Sequence, residues 1–191
     1  HAYRVTHELS LPAHLIRDSS TTRGEARVSC TISSDMRLSS CARGLEIRTT
    51  VTNNVRDHRL RVLFPTGIES DHHFAHGQFD VLRRENVPWE GWENPSNCRK
   101  HESFVAIEDE IGGVAIADRG LPEYEIVGDG CVALTLIRSV DRMANWGTFF
   151  TPGAQCLGTH TFEYAVDPYA GTWSESRVHR EAFACTLPMP V

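Results

Sequence analysis

Apolar and polar residues alternate with a period of two in run after run along this 191-residue chain. A strand sends successive side chains to opposite faces, so such alternation marks a strand with one buried and one wet side. Tyr3, Val5, His7 and Leu9 share one face of the first run, and Val28, Cys30 and Ile32 repeat the pattern. Leu45, Ile47, Thr49 and Val51 oppose Glu46, Arg48, Thr50 and Thr52, as in a half-buried antiparallel strand. Leu60, Val62 and Phe64 follow and stop at Pro65 and Gly67. Further runs cover 79–84, 103–108, 113–117, 122–127, 131–140 and 160–166. Turn formers separate them: Asn53-Asn54, Gly112-Gly113, Asp118 to Gly120 and Gly128 to Gly130. Many short strands at near-regular spacing predict an all-β antiparallel sandwich. One segment reads otherwise. Between Ser174 and Ala184, Val178, Ala182 and Cys185 fall at helical spacing, which predicts one short C-terminal helix with Ser174 as its cap.

The length suits one domain, and residues 1–191 are read as a single β-sandwich domain. A chain of this size buries roughly 70% of its unfolded surface, enough for a core without staples. The net charge is −6, and the basic residues are 18 Arg and one Lys spread without a block. That excludes nucleic acid as a partner, because phosphate binding needs a clustered positive face. No apolar run reaches the length of about 18 residues that a membrane helix requires. The start, HAYRVTHELS, is polar and alternating and carries neither signal peptide nor initiator Met, so the chain reads as an internal piece of a longer protein. Cysteines 30, 41, 98, 131, 156 and 185 form no CxxC pair, and most lie in apolar runs such as VSCTI, GCVAL and AQCLG. They read as reduced structural thiols of a cytoplasmic protein, with one or more disulfides as the alternative.

Few residues invite chemistry. Asp71-His72-His73-Phe74-Ala75-His76 looks like a His-rich turn with three imidazoles and a carboxylate. As a strand it would put His72, Phe74 and His76 on one face and His73 on the other, so the three rings would not meet at one ion. Asp71, His72 and His73 are read first as structural residues and, because the loop leaves a sheet end after Gly67, as candidates for a sugar-contacting rim rather than for a metal site. Trp89 and Trp92 lie in the polar stretch 86–102 and are, with Trp146, candidates for stacking on a sugar face. Arg138 ends the apolar run VALTLIR, where a guanidinium clamps a hydroxyl or carboxylate or reaches to solvent. Glu123 and Glu125 share a strand face roughly 6.5 to 7 Å apart, a glycosidase-like spacing. They are read instead as salt-bridging residues, and Asp80 and Asp118 as turn or strand polar residues. The sequence has no GxSxG, P-loop, GxGxxG or HExxH motif.

Several segments in order resemble one family. Gly44 to Asn54 is similar to an RGLEIRTTVTNN-type strand, and Asp57 to Gly67 reads DHRLRVLFPTG. Gly77 to Val81, Gly120 to Glu125 (GLPEYE), Leu134 to Val140, Ala154 to Gly158 (AQCLG) and Phe162 to Ala165 follow. Together they resemble the C-terminal β-domain of family 38 glycoside hydrolases, the α-mannosidases and mannosylglycerate hydrolases. The resemblance is strongest from Gly44 to Pro168. It implies a sandwich of the galactose-mutarotase type, and a parent enzyme that hydrolyses α-mannosidic bonds with retention. It places the Asp nucleophile and a Zn site of two Asp and two His in an N-terminal catalytic domain, with no catalytic residue and no metal here. The implied partners are that catalytic domain in the same polypeptide and a mannose-containing glycan or mannosylglycerate. Arg138 is the nearest counterpart of an Arg that reaches the active site from the β-half of eukaryotic members. A truncated sandwich with open edges adds an expectation of self-association into a homo-oligomer. Two other functions stay open: a free-standing carbohydrate-binding module, and a mutarotase-like aldose epimerase with a His and Glu123 as acid and base.

Overall fold

The alternating runs pair into two stacked antiparallel sheets. The computed structural model describes residues 1–16, 22–40, 43–91, 93, 95–143 and 149–186. In chain order the strands are β1 (Ala2–Pro12), β2 (Arg27–Arg37), β3 (Leu45–Asn53), β4 (Arg59–Pro65), β5 (His72–His76), β6 (Val81–Glu85) and β7 (Arg99–Lys100). Then come β8 (Phe104–Glu108), β9 (Gly112–Asp118), β10 (Glu123–Val127), β11 (Cys131–Arg138), β12 (Arg142–Met143), β13 (Phe149–Phe150) and β14 (Gly158–Ala170). The larger sheet has eight strands in the order β1-β2-β3-β14-β9-β8-β5-β6. The smaller has four, β4-β11-β10-β7, and β12 and β13 form a separate hairpin.

The core lies between these sheets. Val51, Val105, Ile107 and Ile116 of the larger sheet meet Tyr124, Ile126, Val132 and Leu134 of the smaller. Each large apolar side chain buried this way contributes about 1.5–3 kcal/mol. A second core covers the other face of the larger sheet, where Phe104, Ala106, Ala115 and Ala117 pack under Val178 and Ala182. Strand β8 therefore has two covered faces and is buried at every position from Phe104 to Glu108. That is why its sequence, FVAIE, loses the alternation of β3.

The covering helical segment differs in detail from its expected form. It splits into α1 (Trp173–Ser176) and α2 (Val178–Thr186) at Arg177, whose φ is 61°. The cap is Thr172, two residues before Ser174, because Thr172 and Glu175 complete a reciprocal capping box. The segment expected as a His-rich turn is strand β5, paired with both β6 and β8. The turn lies after it, where the Gly77 N–H donates to the Asp80 carbonyl at 2.7 Å.

Gly130, just before β11, packs against the segment that leaves the neighbouring strand β4. It adopts φ 69°, and a Cβ there would collide with the Ile68 carbonyl oxygen. Its own carbonyl accepts from Thr66 Oγ1 at 2.7 Å. Gly130→Ala is expected to cost at least about 1 kcal/mol, since left-handed geometry and the close approach both oppose a side chain. Urea unfolding of the variant measures this; an unchanged midpoint would contradict it. Cys30, Cys98, Cys131, Cys156 and Cys185 are free thiols, and Cys41 lies outside the described residues.

Candidate functional site

Alternation along β10 aims Tyr124 and Ile126 into the core and Glu123 and Glu125 outward, onto the open face of the four-stranded sheet. Arg59 and Arg61 of β4 share that face. In β11 the register shifts between Thr135 and Ile137, so Leu136 and Ile137 both enter the core and Arg138 comes opposite Arg59. The result is a ladder of alternating charge. Arg61 Nη1 meets Glu125 Oε2 at 2.7 Å, and Arg59 bridges Glu125 at 3.2 Å and Glu123 at 2.9 Å. Arg138 Nη1 pairs with the other oxygen of Glu123, and Thr135 Oγ1 donates to Glu123 Oε1 at 2.9 Å. Burial works against the charged form of Glu123, yet hydrogen bonds from Thr135 and Arg138 and the charges of Arg138 and Arg59 hold its carboxyl below the usual range. Both carboxylates are thus saturated by guanidiniums, and Glu123 is held ionised, which suits recognition better than proton transfer. Three guanidiniums face two carboxylates, and Arg138, paired with Glu123 but with its side chain 56% exposed, is the most accessible of them.

The three imidazoles of β5 do not converge. His72 Nδ1 lies 2.5 Å from Asp71 Oδ1, and this bond is the main reason the Asp71 carboxyl sits below its usual range. The His72 and Phe74 rings meet edge-on at 5.5 Å. His76 stacks on Phe104 and its Nδ1 bonds Ser103 Oγ at 2.9 Å. His73 departs from the rim expectation. It points between the sheets, is 1% exposed, and uses both ring nitrogens: Nδ1 to Asn86 Oδ1 at 2.6 Å and Nε2 to Tyr124 Oη at 2.7 Å. Glu123 lies on the outer face of the four-stranded sheet, whereas His73 of the larger sheet lies between the sheets, so these two do not meet as acid and base. Among the described residues no group of three His, Cys, Asp or Glu is arranged to hold a metal ion.

Around Tyr124 runs a buried polar cluster that the sequence reading missed. Arg84 Nη1 donates to Tyr124 Oη at 2.9 Å and to the Lys100 carbonyl at 2.6 Å. The His101 ring meets the Tyr124 ring edge-on at 5.1 Å, and its Nε2 bonds Asp118 Oδ2, with both side chains fully buried. Asp118 Oδ1 accepts from the Leu121 N–H at 2.9 Å. The available clue was Tyr124 itself. A Tyr on the inward face of a strand brings a hydroxyl that must find partners in the core.

The description "Glycosyl hydrolases family 38 C-terminal domain" matches residues 10–142. This chain belongs to that family. A "Putative mannosylglycerate hydrolase" of Halalkalibacterium halodurans is 33% identical over 166 residues, 87% of this chain and 18% of that protein. An α-mannosidase structure from Enterococcus faecalis V583 superposes with a TM-score of 0.91 at 32% identity, over 98% of this chain and 23% of that one. A family 38 glycosyl hydrolase structure from Enterococcus faecalis gives 0.87 at 30%, with the same coverage. The family 38 domain described here therefore spans about a fifth of the length of these relatives.

Of the tryptophans in this family 38 domain, Trp89 is 68% exposed, and its ring lies over Gly91, where a Cβ would sit 2.5 Å away. Trp173 starts α1 and packs on Phe104 and Phe74. Trp92 and Trp146 lie outside the described residues.

Proposed function

We propose that this chain is the non-catalytic β-sandwich portion of a retaining α-mannosidase-like hydrolase, supporting a catalytic domain and lending one wall to its sugar cleft. The observation that carries this reading is the outer face of the four-stranded sheet. Its carboxylates are locked to arginines, while Arg138 keeps an exposed guanidinium able to grip a hydroxyl or carboxylate. The superposition on 23% of an α-mannosidase supports it, because the remaining three-quarters of such a chain is where a catalytic domain belongs. The Zn that the family implies finds no fitting ligand set among the described residues, so no step through it is assigned to this chain. Zn and the nucleophile are proposed for that other portion. The substrate class is a mannose-containing glycan or mannosylglycerate. Asp71, His72 and Trp89 remain outer candidates for sugar contact.

Two measurements test this. The 191-residue chain alone is expected to show no turnover of a nitrophenyl α-mannoside; clean turnover would sink the non-catalytic reading. In the enzyme joined to its catalytic domain, Arg138→Ala is expected to lower kcat/KM by about tenfold or more, the scale of one charge-assisted hydrogen bond. Stability should change by under about 1 kcal/mol, as for an exposed ion pair. An unchanged kcat/KM would remove Arg138 from the cleft while leaving family membership intact.

A further inference from the structure

The face of the larger sheet that α2 partly covers holds a groove of about 580 Å³, remote from the arginine ladder. Its floor is made of small residues, Ala115, Ala117 and Ala165 of the sheet and Ala182 of α2. Among the described residues the one aromatic lining it, Tyr164, packs its ring edge-on to Phe64 in the core between the sheets. The groove therefore offers no ring on which a sugar could stack.

Asp167 stands in this groove on β14, opposite the helix. It is only 6% exposed, and its Oδ1 is buried without a hydrogen-bond partner. A Cβ on Gly44 would sit 2.6 Å from the Val166 carbonyl, so the start of β3 presses directly on the backbone that carries Asp167. Two other carboxylates of this face are matched, Glu163 with Arg119 at 3.3 Å and Asp35 with Arg4 at 2.5 Å, while the exposed Glu46 at the groove lining has no ion pair among the described residues. Arg43 enters the groove, but its Nη1 donates to the Ser176 carbonyl at 3.2 Å. Among the described residues neither Asp167 nor its neighbour Glu181 has an ion pair. Burial and then the Glu181 charge push the Asp167 carboxyl above its usual range, with Arg43 opposing them. A buried carboxyl oxygen with no donor is costly, and such atoms in folded proteins call for a ligand or a function.

The shape specifies the donor. An acid at the deep end, a second acid on the helix and an apolar floor between fit a cationic head on an aliphatic stem. We propose that this groove receives an arginine or lysine side chain from a polypeptide docked on the α2 face. Asp167 takes the head group, Glu181 closes over it, and the stem lies along the alanines.

The test titrates the chain with acetyl-Gly-Arg-Gly-amide and follows backbone amide shifts of β14 and α2 by NMR. Saturable shifts are expected, weakened about tenfold by Asp167→Asn and less by Glu181→Gln, and absent with the citrulline analogue. The Asp167→Asn chain should melt no lower than the parent, since it loses a buried unpaired charge; a residue that only held the fold together would melt lower. The proposal is overturned if the arginine peptide causes no saturable shift, if both variants bind it as well as the parent, or if mannose rather than arginine saturates these signals.

Discussion

Asp118→Ala is expected to remove about 3 kcal/mol or more of stability, the cost of leaving buried hydrogen-bond donors without their acceptor. Both the Asp118 and the His101 side chains are fully buried, so no water replaces the lost carboxylate. Two donors lose their acceptor at once, His101 Nε2 and the Leu121 N–H. Asp118→Asn keeps an oxygen for Leu121 and should cost less. Replacing both members by apolar residues of similar volume, His101→Phe with Asp118→Leu, should recover part of the loss, because only the Leu121 N–H is then left without its acceptor. For a chain of this size the alanine variant should melt about 10 °C lower. A midpoint shift of only a degree or two would show that the pair is solvated in solution.

Stability should also fall on acidification, and His73 is the cause that can be isolated. Burial, chiefly, together with the charges of Arg99, Arg84 and His72, lowers its pKa from 6.5 to about 4, against the opposing bond from Asn86. The folded state then refuses a proton that the unfolded chain accepts. Stability is therefore full above pH 6.5 and declines as pH falls from there to about 4. The total loss approaches about 3 kcal/mol below that point. His58 and His76 are shifted in the same direction, again mainly by burial, and add to the slope. Denaturant unfolding between pH 7 and pH 4 should show a markedly flatter profile for His73→Gln than for the parent. Parallel profiles would mean that His73 is already protonated, or already hydrated, at neutral pH.

The strands that show in the sequence are those with one wet face. The alternation of β3 is visible because Glu46, Arg48 and Thr50 stand between its buried residues. Strand β5 is not, since its histidines serve both faces and resemble a polar turn. The helix was visible through Val178 and Ala182, but its start was misplaced because Ser174 looked as good a cap as Thr172. Only the partner Glu175 decides between them. The same limit applies at the site. Glu123 and Glu125 could be read as bridging residues from one strand, but their partners Arg59 and Arg61 are brought by another strand, and cross-strand pairing is a tertiary fact. The shift that turns Arg138 outward depends on the register of β11 against β4. Asp167 looked ordinary because nothing in a linear sequence shows that a helix will close over it.

Strand β14 sits between β3 and β9 and pairs with both. Its Tyr164 hydroxyl lies 2.6 Å from Thr49 Oγ1, across 115 residues of sequence. The larger sheet therefore cannot be completed by local hairpins. Until residues 158–170 pair, β3 and β9 each present an open edge, and the two halves of the sheet have no strand to join them. Closure waits for a late, non-local pairing, the kind that makes β-rich chains slow to fold and exposes them to aggregation while they wait. In this domain a strand distant in sequence from both of its neighbours is the one that locks the larger sheet together.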